Sequence, residues 1–335
     1  MHRILSNVGR AVVGSTVIAL LFAFSFLGAL HAPRPNDLPV GLAGPPEAVD
    51  AVARQLDSRA PGGFDISRYP DEEAARTALE DREVDGAFVL GPDGPTLLVA
   101  GAAGMITRNA LTETFSQAAA AAGQSLQVED VRALPADDRA GISSFLFVVT
   151  VLVPSLICAV MIAQLGGRNS PRSKMLAAIT AALSIGLLNA WAVTGIYGAL
   201  SGHYLEVAGI AALLSAAVSL PALALHRAIG APGLGVAGLL FVVFGMPATG
   251  GAIGPSFIPD LFATFSSLLP GGEAIAAVRS VVYFDGASIA RPLWSLAAWA
   301  ATGALLLLPG GAARHRERQP SAGQPLVPAT PSVRY

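Results

Sequence analysis

The chain has one lysine, Lys174, and one cysteine, Cys158, among its 335 residues. A single cysteine leaves no intrachain disulfide, so every part of the chain must fold without a covalent staple. The lysine follows "NSPRS" rather than a glycine-rich loop, so no phosphate-cradling G-x-x-x-x-G-K-[ST] exists and this chain is not expected to hydrolyse ATP. Neither H-E-x-x-H nor G-x-S-x-G occurs. The five histidines, His2, His31, His203, His226 and His315, are never at metal-ligand spacing. No catalytic residue, bound metal or cofactor is expected, and no enzyme. Charge is scarce as well: 13% of residues are charged, against about 25% in a soluble domain. The net charge of −2 offers no field for nucleic acid.

Long apolar runs are what the chain has instead. Hydrophobic residues make up 53%, and the mean hydropathy is +0.58. A membrane helix needs about 20 apolar residues. Six runs qualify as expected spans: Ala11–Leu30, Ile142–Leu165, Met175–Leu200, Tyr204–Leu225, Gly233–Thr249 and Leu293–Leu308. The first exceeds the roughly 7–15 apolar residues of a cleaved signal and lacks a clean small-x-small site, so it reads as a retained anchor. With the N-terminus inside, Arg3, Arg10, Arg168, Arg172, Lys174, Arg227, Arg314, Arg316 and Arg318 all fall on the cytoplasmic side. Only Arg279 and Arg291 then remain in short outer loops. The positive-inside bias thus predicts a multi-pass plasma-membrane protein with both termini cytoplasmic.

The spans hold almost nothing ionisable, so no proton relay or coupling-ion site is visible. Glu206 lies two residues inside the outer end of the fourth span, within reach of water. Asn189 is the one amide deep in a span; it reads either as a helix–helix hydrogen bond or as the lining of a transport path. Pro154 and Pro221 predict kinks.

Between spans one and two the chain changes character. Residues 33–140 hold 18 of the 23 acidic residues and nine arginines. Strand and helix signals alternate: strands at 38–44 and "FDISRY", helices at 45–59, 70–83 and 105–123, and a hairpin around Gly-Pro-Asp-Gly. "LQVEDVRAL" reads as the return to the membrane. The segment "YPDEEAARTALEDRE" is taken as a solvated helix face rather than a metal site. An extracytoplasmic α/β domain of this size can fold alone. The organisation is therefore a cytoplasmic stub and first span at 1–32, the outer domain at 33–140, five spans at 141–312, and a Pro/Ser-rich, disordered cytoplasmic tail at 313–335.

The stretch "PDLFATFSSLLPGGEAIAAVRSVVYFDG", Pro259–Gly286, is too apolar for a water-exposed loop and too broken for a span. Pro270-Gly271-Gly272 divides it, so it reads as an interrupted, half-buried hairpin; were Leu261–Ser267 and Ala274–Val282 its two short helices, the turn between them would have to stay tight, with Gly271 or Gly272 at positive φ. Glu273 and Arg279, six residues apart, are too far for a helical pair and are expected to face water or another subunit.

One span, a large outer domain, five spans and an interrupted hairpin before the last together resemble the membrane subunits of type-2 ABC exporters. The nearest likeness is to the phage-infection-protein (Pip/YhgE-like) branch. It is carried by Gly250-Gly251, Pro255, Ile258-Pro259 through Phe262, Leu269-Pro270 and Arg279, and by "YPDEEAARTALEDREVDGAFVLGPDG" against a pattern with glycine where this chain has Arg82-Glu83. The resemblance implies a polytopic α-helical membrane protein with six transmembrane helices, an inserted extracytoplasmic α/β domain and a re-entrant hairpin over 253–290. It further implies a permease moving a lipid-like or amphipathic substrate outward, with ATP on a separate ATPase subunit. Such a subunit would press on the N-terminal stub and on the loop Gly166–Lys174, with Arg168, Arg172 and Lys174. Six spans make half a transporter, so a homo- or heterodimer in the lipid bilayer is expected. The competing reading is a membrane-anchored binding or scaffold protein, serving a secretion apparatus or acting as a phage receptor. An intramembrane enzyme has no nucleophile–base arrangement to support it.

Overall fold

A computed structural model describes residues 2–164 and 170–308. The chain opens with α1 (His2–Leu30), a long helix that packs lightly on the rest. Five strands and three helices follow: β1 (Leu38–Ala43), α2 (Pro46–Arg59), β2 (Phe64–Tyr69), α3 (Glu72–Glu80), β3 (Gly86–Gly91), β4 (Gly94–Val99), α4 (Met105–Ala121) and β5 (Gln127–Asp130). The membrane-type helices come next: α5 (Ser143–Gln164), α6 (Pro171–Trp191, continuing as a π-helical stretch Ala192–Ile196) and α7 (Tyr204–Ile229). Then α8 (Ala231–Gly238) runs through a π-helical stretch, Leu239–Phe244, into α9 (Gly245–Ala248). The chain ends in α10 (Asp260–Ser266), α11 (Pro270–Tyr283) and α12 (Ala290–Leu307).

The strand and helix signals of 33–140 fold into one mixed sheet of order β2-β1-β3-β4-β5. β1 pairs in parallel with both β2 and β3, the β3–β4 hairpin is antiparallel, and β4–α4–β5 is a parallel crossover. The segment "LQVEDV", expected only to lead back to the membrane, thus supplies an edge strand. On one face, Leu38, Val40, Leu42, Phe88 and Leu97 pack against Val49 and Leu56 of α2 and Leu111 and Phe115 of α4. On the other, Ala43, Ala87, Val89 and Leu98 meet Ala75, Ala78 and Leu79 of α3. Asp71 caps α3, its side chain accepting from the Ala74 amide at 2.9 Å.

Among the described residues, five helices are long and apolar enough to cross a membrane: Val12–Leu30, Ser143–Gln164, Pro171–Ile196, Tyr204–Ile229 and Ala231–Ala248. The α10–α11 pair would make a sixth if counted as one span bent by 65°. α12, expected as the last span, falls short of the apolarity of those five, since its 18 residues include Arg291 and Pro292. α7 is the axis of the bundle, and α5, α6 and α12 pack around it. Small residues allow these close approaches. A Cβ on Gly186 of α6 would come within 2.7 Å of the Ala208 carbonyl oxygen, and one on Gly303 of α12 within 2.5 Å of Pro221 Cδ. α5 and α7 run unbroken through Pro154 and Pro221. Pro171, Lys174, His226, Arg227 and Leu307 line one small cavity, which brings the ends of α6, α7 and α12 together at the pole away from the α/β domain.

Candidate functional site at the domain–hairpin junction

The interrupted segment is a helical hairpin, but its corner lies elsewhere than the sequence suggested. The turn is Ser267-Leu268-Leu269, where the Leu268 and Leu269 amides donate to the Phe265 carbonyl at 3.2 and 2.9 Å. Pro270 opens α11 at its first position, and Gly271 and Gly272 are already helical, not at positive φ. Proline lacks the N–H that the first turn of a helix leaves unpaired, so it starts a helix as readily as it marks a turn. Gly272 is required for space instead: a Cβ there would run into the Ser266 carbonyl and lie 2.7 Å from Ser266 Oγ. A Cβ on Gly271 would lie 3.2 Å from Thr249 Cγ2.

Glu273 and Arg279 do not face water. Ten of the fourteen residues of α11 are buried, both charges among them, with Glu273 4% and Arg279 6% exposed. α11 is seated between the α/β domain and the bundle. Arg279 Nη1 donates to the Ala103 carbonyl at 2.9 Å. From the domain side, Arg82 Nη1 donates to the Ala276 carbonyl at 2.9 Å and to Ser280 Oγ, and its guanidinium lies 5.1 Å over the Phe284 ring. Arg82 reaches there from a backbone φ of 61°, the conformation glycine adopts without strain. Tyr283 Oη donates to Asp138 Oδ2 at 2.6 Å, while Asp138 Oδ1 accepts from Ser143 Oγ at 2.7 Å at the start of α5. Arg132 pairs with Asp285 at 2.9 Å, and Ser288 Oγ donates to the Asp81 carbonyl. The hairpin also completes the domain's interior: Phe257 joins the cluster of Leu42 and Phe115, and Phe284 joins that of Ala78 and Leu98.

The turn is anchored from the other side. Trp299 Nε1 donates to the Leu268 carbonyl at 2.7 Å and its ring packs edge-on against Phe241 at 5.5 Å. Trp299 is nine residues beyond the start of α12, about 14 Å along the helix at 1.5 Å per residue.

Electrostatically the junction is strained. Burial, and then the like charge of Arg279, hold the Arg82 guanidinium below its ordinary pKa. Burial pushes Asp85 above the usual carboxylate range, opposed by Arg82, Arg279 and a Ser256 hydrogen bond. Ser280 and Trp299 carry no motif, so only the fold brings them to this place. A glycine-type slot filled by arginine was the one signal at position 82.

The remaining expected residues are dispersed. Asn189 hydrogen-bonds within its own helix, Nδ2 to the Ile185 carbonyl at 2.9 Å, and not to another helix. It lines a cavity of about 460 Å³ with Thr150, Phe147, Val193 and Asp137, beside the π-helical stretch of α6. Glu206 is exposed in the first turn of α7, where the helix dipole favours an acid. Arg168 lies outside the described residues. Arg172 and Lys174 sit in the first turn of α6 rather than in a loop, because Ser170 caps the helix and Pro171 opens it. Among the described residues no group of His, Cys, Asp and Glu could hold a metal ion. No family model matches the chain, no curated protein matches it, and no solved structure matches it.

Proposed function

We propose that the chain is the permease subunit of an ABC-type exporter that moves a lipid-like or amphipathic substrate outward, driven by a separate ATPase. The observation that carries this reading is the seat of α11, hydrogen-bonded on one side to the outer domain and tied through Trp299 to α12 on the other. An element gripped from both sides transmits a shift in either one. With α12 as the sixth crossing and Ala290 at the outer boundary, the turn reaches about 14 Å into the bilayer. Backbone at that depth needs protein partners, and the Trp299 indole supplies one. The cavity at Asn189 joins an apolar wall to an amide and a hydroxyl, a surface suited to an amphipathic molecule. Nothing in the spans can draw on an ion gradient, so the energy comes from a partner at the pole holding Arg172, Lys174, His226 and Arg227. Both termini are then cytoplasmic, the α/β domain is extracytoplasmic, and two such subunits, alike or different, pair in the plasma membrane.

Purification under mild detergent after cross-linking tests this. The expected result is co-purification of an ATPase whose turnover in vesicles rises with lipid-like substrate only when this chain is present. A chain that purifies without any nucleotide-binding partner, and whose deletion leaves export of amphiphiles unchanged, would overturn the reading in favour of a scaffold. Orientation is checked in intact cells on a Cys158→Ala background: a cysteine at exposed Ser58 should react with an impermeant thiol reagent, and one at Ser321 should not.

A further inference from the structure

We propose that the cavity walled by Arg82, Arg279 and Arg291 binds a monoanionic phosphodiester, the headgroup of an amphiphile whose chains lie along α10. Two adjoining cavities, of about 210 and 450 Å³, share Arg82, Glu273, Ala276 and Arg291 as walls, and Arg279 lines the smaller. That is room for several waters or one tetrahedral oxyanion. A guanidinium carries five N–H donors. The hydrogen bonds to protein from Arg82 come from Nη1 alone, and so does that from Arg279. Arg279, 94% buried by its 6% exposure, keeps a buried Nε with no partner. Among the described residues neither Arg82 nor Arg279 is in an ion pair; the pairs at this junction are Arg291–Glu273 at 3.8 Å and those of Arg132. Two like charges withdrawn from water without a bonded anion are costly to hold, and the lowered pKa of Arg82 reflects that.

Charge and geometry select the ligand. Three guanidiniums, Arg82, Arg279 and Arg291, line these cavities against one carboxylate, Glu273, so an anion is drawn there. A phosphodiester presents paired oxygens that match the guanidinium fork and can carry acyl chains beside them. The source is indicated by what flanks the opening. Ala263 and Ser266 of α10 line the smaller cavity, and on the same short helix and its turn Leu261 and Leu268 are 66% and 54% exposed. Acyl chains would cover them. The site requires only that the hairpin meet the bilayer, so it would exist in a scaffold as well as in a permease.

The test measures ligand-induced thermal shifts of the full-length protein in detergent. Four probes are titrated: dihexanoyl-phosphatidylglycerol, glycerophosphoglycerol, inorganic phosphate and dihexanoylglycerol. The expected result is saturable stabilisation by the phosphatidylglycerol, at least tenfold weaker binding of glycerophosphoglycerol, and none by dihexanoylglycerol. Arg279→Gln should weaken the lipid about tenfold or more, as loss of a charge-assisted hydrogen bond does. Arg291→Gln, on the exposed rim, should weaken it several-fold. Arg132→Gln, which loosens the same junction outside the cavity, should leave affinity unchanged. Equal binding of inorganic phosphate and the lipid would overturn the lipid source. Lipid affinity unaltered in both Arg279→Gln and Arg291→Gln, or equal binding of dihexanoylglycerol, would overturn the site. Export of amphiphiles unchanged on deletion of the chain, while these affinities persist, would count against the permease and not against the headgroup site.

Discussion

Replacing Gly272 by valine should open the hairpin, for a reason of space and not of backbone conformation. The first added carbon runs into the carbonyl of Ser266, and the second obstacle, Ser266 Oγ at 2.7 Å, is part of the same residue. A backbone carbonyl cannot rotate away as a long side chain would. The end of α10 must therefore move, and with it the two amides bonded to Phe265 and the Leu268 carbonyl held by Trp299. Overpacking of this kind costs about 1–3 kcal/mol, and each buried hydrogen bond lost without replacement about 1–3 kcal/mol more. If one of the three bonds fails, the total is on the order of 3 kcal/mol. For a chain of this size that corresponds to a drop of about 4 °C in apparent unfolding temperature. Tryptophan emission reports both quantities, since Trp299 is one of three tryptophans and touches the turn. A red shift should accompany the drop. Gly271→Ala is the control, because its Cβ meets only the movable Thr249 Cγ2 at 3.2 Å and Leu152 Cδ1 at 3.5 Å; it should cost about 1 kcal/mol or less. If Gly272→Val unfolds within about a degree of wild type and emits at the same wavelength, the close approach of α10 to α11 is wrong.

Tyr283→Phe removes a 2.6 Å hydrogen bond to Asp138 and should destabilise the protein by about 1–3 kcal/mol, while Tyr197→Phe, on an exposed ring, should not; thermal unfolding decides it. Acid should weaken the α/β domain through Glu129, whose pKa is lowered chiefly by the Arg76 hydrogen bond. A depressed folded pKa means the contribution is complete above the unfolded value near 4.5 and is lost as pH falls below it. Between pH 5 and 3 the slope of unfolding temperature should therefore be shallower in Glu129→Gln than in wild type, by a small amount since the pair is partly exposed.

Local signals were legible where the sequence alone determines the outcome. Apolar runs gave the long helices, and alternation with capping residues such as Asp71 gave the strands and helices of 33–140 to within a few residues. What the sequence hid is contact between distant segments. Nothing near Arg279 announces that Ala103, 176 residues away, will accept its hydrogen bond, so a charge in an apolar stretch was assigned to water or another subunit. The corner was misplaced because Pro-Gly-Gly serves a tight turn and a crowded helix start equally well. β5 was missed because its four residues, Gln127–Asp130, show no apolar alternation and lie exposed at the edge of the sheet. Asn189 turned inward on its own helix because Ile185, four residues back, offered a carbonyl without recourse to another helix.

The sharing of the α/β domain's interior with Phe257 and Phe284 has a consequence for biogenesis. Translation delivers residues 33–140 more than a hundred residues before the aromatic rings that finish their packing. At about 5–20 residues per second the wait from Phe115 to Phe257 is roughly 7–30 s. Throughout that interval the sheet carries an unfilled hollow on each face, at Leu42 and Phe115 on one and at Ala78 and Leu98 on the other. Maturation of the soluble part is therefore subordinate to correct integration of the fifth long helix, and a nascent chain that stalls there leaves a tacky, unfinished domain for quality-control proteases to recognise.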